Sequence, residues 1–138
     1  MSTPFKQAIH PKNMHKSVAP LSKGMLVHDK FLYISGQVGC GAETDSSGNR
    51  VFDADVQVQA RQCLENVKCV LTEAGMTFDN VVKMSIYLHD INDWGKVNEV
   101  YKEYFSAPYP ARTAIEAGKL PLHHEGNKVE MDGVAVRE

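Results

Sequence analysis

Two apolar periods follow one another in the middle of this chain, and together they restrict its fold more than any other feature. From Val56 to Ala74 the apolar residues, among them Ala60, Cys63, Leu64, Val67 and Leu71, recur at steps of three and four, the spacing that lines one face of an α-helix. From Val81 to Leu88 the step becomes two. Val82, Met84, Ile86 and Leu88 alternate with Val81, Lys83, Ser85 and Tyr87, as a strand with one buried face requires. Asp53 is placed to cap the helix and Gly75 to stop it.

The flanking segments extend this pattern. Met25–His28 and Phe31–Ser35 are short strand-like runs around Asp29-Lys30, a tight hairpin, and Phe5–Ile9 suits an edge strand. Asn92 or Asp93 can cap a second helix carrying Val97, Val100, Tyr101, Tyr104 and Phe105, ended before Pro108 and Pro110. Thr113–Ala117 and Lys128–Val136 read as closing strands. The order strands, helix, strand, helix, strands predicts an α/β (α+β) domain, a mixed sheet with both helices packed on one face. The other face, carrying Ser85 and Tyr87 beside Val81, then needs a cover, and self-association with sites at the subunit seams would supply one.

The 138 residues suit one domain spanning 1–138, its first 18 or so the least patterned. Lys and Arg number 15 against 17 Asp and Glu, without the basic excess that nucleic-acid binding needs. No apolar run approaches the roughly 20 residues of a membrane span, and Met1–Lys6 has no signal-like core. With three cysteines, Cys40, Cys63 and Cys69, and no C-x-x-C pair, reduced thiols and a cytoplasmic address are expected.

Chemistry concentrates near two positions. Pro110-Ala-Arg112-Thr-Ala-Ile-Glu116 sets an arginine at the start of a strand, with Arg112, Ala114 and Glu116 on one side. Its guanidinium can clamp a carboxylate through paired hydrogen bonds, or it can form a surface ion pair with Glu116 worth about 0–1 kcal/mol. Lys128-Val-Glu130-Met-Asp132 sets two carboxylates on one strand face. Glu130, if withdrawn from solvent, gains a pKa useful for proton transfer; the plainer reading is a solvated strand end.

Other signals carry less. Gly36-Gln-Val-Gly39-Cys-Gly41 lacks phosphate-loop spacing and reads as a flexible cleft-lining turn that makes Cys40 a candidate exposed thiol. Cys63 and Cys69 read as packing residues. His123-His124-Glu125 is a weak metal signal, and no metal or cofactor is expected. Trp94, Asn98 and Tyr101 share a helix face, the aromatics as packing and Asn98 as a substrate contact.

Ala19-Pro20-Leu21-Ser22, Ser35-Gly36-Gln37-Val38, Gln59–Val67, Asn98–Phe105, Pro110-Ala-Arg112-Thr and Val129-Glu130-Met, in this order and spacing, resemble the Rid (YjgF/YER057c/UK114) family. The resemblance implies a chorismate-mutase-like fold, a homotrimer with three inter-subunit clefts, and hydrolysis of enamines or imines to 2-keto acids and ammonia. It makes Arg112 the residue that holds the carboxylate of a small metabolite and Glu130 the residue that orients water. It adds Asn98 and the Ser35–Gly36 backbone to the cleft. Three positions depart from the pattern. Leu21 stands where deaminase members have tyrosine, Ala114 where many have cysteine, and Lys23 where glutamine is usual. A non-catalytic 2-oxo acid binding or interaction module on the same trimer, or a specialised pathway deaminase for a larger, more apolar substrate, are the alternatives these changes raise.

Overall fold

The computed structural model describes residues 4–138; Met1, Ser2 and Thr3, part of the stretch read as lacking a signal, lie outside the described residues. Six strands, β1 (Lys6–Ile9), β2 (Gly24–Val27), β3 (Phe31–Val38), β4 (Val81–Leu88), β5 (Ala111–Glu116) and β6 (Val129–Val136), accompany two helices, α1 (Val56–Glu73) and α2 (Trp94–Tyr104). They form one sheet in the order β1-β2-β3-β6-β4-β5. Only β4 and β5 run parallel, and α2 makes their crossover, as a parallel pair requires.

Local chemistry moves several boundaries. The hairpin turns on His28 and Asp29, at φ 50° and 53°, one residue earlier than Asp29-Lys30; two successive left-handed residues match the twist of the flanking strands. The cap of α1 is Asp55, whose carboxylate accepts from Gln57 N at 2.8 Å, while Asp53 sits two residues earlier and accepts from Asp55 N at 2.8 Å. Gly75, at φ +74°, ends the helix as expected. Ahead of α2, Asp90 caps a short turn through Asn92 N, and Asp93 occupies the helix cap position without a side-chain bond.

The apolar face of β4 also needs correction at its start. The register against β6 shifts between Val81 and Lys83, so Val81 is buried and Val82 is 46% exposed. An extra residue in one strand reverses the alternation on one side of it. Beyond the bulge Met84, Ile86 and Leu88 face inward as the period predicts.

The core lies between the sheet and its helices. Ala60, Cys63, Leu64, Val67 and Val70 of α1 are inaccessible to solvent, and α1 packs on β3, β6 and α2. Burying one such leucine or valine side chain is worth about 1.5–3 kcal/mol. The opposite sheet face is open and mixed: Tyr33 is 51% and Ile115 47% exposed, beside Ser85, Thr113 and Asp132.

Candidate functional site

Arg112 enters the structure beside Met84, its register partner on β4. Met84 points into the core, so Arg112 projects from the helix-bearing side at the free edge of the sheet, where α2 meets it. Its Nη2 donates to Asn98 Oδ1 at 2.6 Å. Its guanidinium carbon lies 4.8 Å from the Tyr101 ring centre and 5.9 Å from that of Trp94. Cation–π contacts at such distances contribute about 0.5–2 kcal/mol. Glu116 accepts instead from Ile91 N at 3.0 Å, so the surface pair with Arg112 is not formed.

Arg112, Asn98, Tyr101, Lys102, Tyr109 and Pro110 line an open cavity of about 320 Å³. The Tyr101 hydroxyl is buried without a hydrogen-bond partner, and burial pushes its pKa up to about 12, against the smaller opposing effect of Arg112. The hydroxyl therefore stays protonated, and it is the ring that faces the guanidinium. Sequence reasoning assigned Tyr101 to packing; its helical spacing from Asn98 was the available signal.

Glu130 occupies a second cavity, also about 320 Å³. It pairs in register with Tyr87 of β4 on the face without helices. Burial first, and the neighbouring Asp132 second, push its pKa up. Asp132 itself accepts from the Tyr87 hydroxyl at 2.9 Å. Gly36 backs directly onto the Glu130 carboxylate, so any side chain at 36 would strike it. Leu21, 47% exposed, lines the same cavity with Lys23 and Gly36.

The two cavities are not one site within a protomer. Glu130 aligns with Tyr87, and Tyr87 with Ile115, which puts Glu130 and Arg112 on opposite faces. They stand two strand spacings apart, about 10 Å, and a further three residues along the sheet, about 10 Å. Ser35 lines neither cavity; its hydroxyl donates to Ser22 O at 2.5 Å and ties β3 to the Leu21 segment. Ala114 packs partly buried against the core.

The turn after β3 is pinned and not flexible. Asn66 Nδ2 donates to Val38 O at 3.1 Å and Cys40 O at 2.9 Å, and Gly39 N donates to Asn127 Oδ1 at 3.2 Å. Cys40 is buried, and burial pushes its pKa up to about 11, the reverse of what a thiolate nucleophile needs. Cys63 is fully buried and Cys69 half-buried against the core. Among the described residues, no three His, Cys, Asp or Glu side chains converge to hold a metal, and no helix is long and apolar enough to cross a membrane.

Residues 11–137 match the family described as Endoribonuclease L-PSP. The human 2-iminobutanoate/2-iminopropanoate deaminase is 37% identical over 137 residues, covering 99% of this chain and 94% of that protein. Among solved structures, a Rid family protein, YyfA of Yersinia pestis, superposes with TM-score 0.83 at 34% identity. It covers 96% of this chain and 99% of that one. TdcF of E. coli with bound serine gives TM-score 0.83 at 32% identity, with the same coverage.

Proposed function

Because this chain belongs to the Endoribonuclease L-PSP family, the Rid family, we propose that it hydrolyses 2-imino acids, or the enamines from which they form, to 2-keto acids and ammonia. The observation that carries this reading is the braced guanidinium. Arg112 is held by Asn98, Tyr101 and Trp94, so its other N–H donors meet a carboxylate with little loss of side-chain freedom.

The reaction needs a water and a proton carrier. Arg112 holds the substrate carboxylate and Glu130 orients water toward the imine carbon. The oxygen of water bonds to that carbon, its protons pass to the nitrogen by way of Glu130, and the carbon–nitrogen bond breaks to release ammonia. A carboxylate with a raised pKa suits both halves of that relay. Imine hydrolysis is undemanding, so positioning and one relay suffice without metal or organic cofactor.

Since Arg112 and Glu130 face opposite ways in one chain, the working site joins Arg112 of one protomer to Glu130 of the next. A homotrimer with three such clefts is the assembly this reading takes. The exposed apolar side chains Tyr33 and Ile115 on the helix-free face support it. Three free thiols, Cys40, Cys63 and Cys69, accord with a reducing, cytoplasmic setting.

Leu21 favours a second reading. A tyrosine there would bring a hydroxyl to the Glu130 cavity; leucine brings none. A 2-oxo acid binding module without turnover, or a deaminase for a larger apolar substrate, would suit that change. The deciding experiment measures hydrolysis of 2-iminopropanoate and 2-iminobutanoate by the wild type and Arg112→Ala, with 2-oxo acid binding followed by calorimetry. Turnover lost in the variant supports the deaminase; binding without turnover in the wild type supports the module. Unchanged turnover in Arg112→Ala sinks the assignment of Arg112.

A further inference from the structure

The Glu130 cavity holds more positive charge than a monocarboxylate would use. His15, Lys23 and Arg50 line it together with Leu21, Gly36 and Glu130. Lys23 Nζ lies 3.4 Å from His15 Nε2. Burial first, then Lys23 and Arg50, lower the His15 pKa to about 4, so at neutral pH the ring is uncharged and Nε2 is the acceptor. The ring proton is then on Nδ1, and Nδ1 is buried with no hydrogen-bond partner.

Arg50 repeats the pattern. Its Nη2 donates to Lys16 O at 2.7 Å, while its Nε is buried without a partner. Among the described residues neither Lys23 nor Arg50 forms an ion pair. The nearby carboxylates do not satisfy them. The Glu130 pKa is governed by burial and Asp132, and Glu125 has a buried oxygen that is itself unpartnered. Two cations, Lys23 and Arg50, thus share this space with a single carboxylate, Glu130, and form an ion pair with none. Burial and Arg50 lower the Lys23 pKa, a cost that an anion placed between the cations would reverse.

We infer that the substrate carries a second anionic group, a distal carboxylate, which Lys23 and Arg50 hold while the first carboxylate sits on Arg112 of the adjoining protomer. The substrate class is therefore a 2-imino dicarboxylate. This rests on the deaminase reading above and narrows it. Leu21, beside the cluster, supplies an apolar wall for the methylene carbons between the two ends.

The test compares three ligands by calorimetry on the intact protein: 2-oxobutanoate, 2-oxoglutarate and the 5-methyl ester of 2-oxoglutarate, which keeps the length and removes the distal charge. 2-Oxoglutarate is expected to bind at least about tenfold more tightly than the ester. Lys23→Met should collapse that ratio and Lys23→Arg should restore it, with circular dichroism confirming that both variants fold. Equal affinity for acid and ester, or a ratio that Lys23→Met leaves unmoved, overturns the inference. If 2-oxobutanoate still binds through Arg112 in that case, the site reading survives. If no 2-oxo acid binds, the site reading and the inference fall together.

Discussion

Arg112 and Glu130, the two residues on which hydrolysis would depend, lie on opposite faces of a single sheet. Met84 aligns with the first and Tyr87 with the second, and β4 positions three apart, being of opposite parity, cannot share a face. A monomer therefore cannot present both to one substrate. Placing a charge on the open face, as Ile115→Glu or Tyr33→Glu, should split the assembly in analytical ultracentrifugation and abolish turnover, although neither side chain borders the Arg112 cavity. A fully active monomer would contradict the two-chain site.

Arg112→Ala should lower kcat/KM for 2-imino acids by about 10- to 100-fold, the worth of a charge-assisted bidentate contact. Lys at the same position should recover only a small part, since an ammonium cannot reproduce the planar fork that Asn98 and Tyr101 hold in place. Asn98→Ala should weaken activity less than loss of the arginine itself. Steady-state kinetics on the three variants check the order.

Glu130→Gln should reduce kcat by about 100-fold or more while 2-oxo acid binding persists. The acid limb of the wild-type rate profile should sit above the ordinary carboxylate range, because burial and Asp132 raise this pKa. The native state holds the Glu130 proton more tightly than the unfolded chain, so ionised Glu130 destabilises the fold as pH rises from the unfolded toward the folded pKa. Glu130→Gln should therefore raise the thermal midpoint at pH 7 and leave it unchanged well below both values. A stabilising effect confined to acid would contradict that sign.

Gly36→Ala should cost up to about 1 kcal/mol, because the new methyl meets only the movable carboxylate end of Glu130, which must turn aside. Combining it with Glu130→Ala should recover most of that loss, since the colliding atoms are then gone. Denaturant titration of the four-protein cycle gives the coupling. Additive losses would show that Gly36 matters for another reason.

Asp55→Ala should cost about 1 kcal/mol and Asp53→Ala less, because Asp55 caps α1 through Gln57 N and Asp53 only braces the cap. Leu64→Ala, in the core-facing stripe of the same helix, should cost about 2–5 kcal/mol. Chemical denaturation midpoints rank the three.

The sequence alone determined the elements and the chemistry-bearing residues. The change of period between Ala74 and Val81 marks helix α1 and strand β4, and Pro110 to Glu116 and Lys128 to Val136 mark the strands that carry Arg112 and Glu130. These are local properties, since propensity and spacing act over a few residues. The tertiary structure decided what those residues face. The bulge that buries Val81 and exposes Val82 depends on register against β6, a strand distant in sequence. Tyr101 came to lie against the Arg112 guanidinium only when α2 docked at the β5 edge. The separation of Arg112 from Glu130 likewise follows from strand order with β4 between them. Long-range pairing of that kind depends on which strands become neighbours, which no local pattern of side chains encodes.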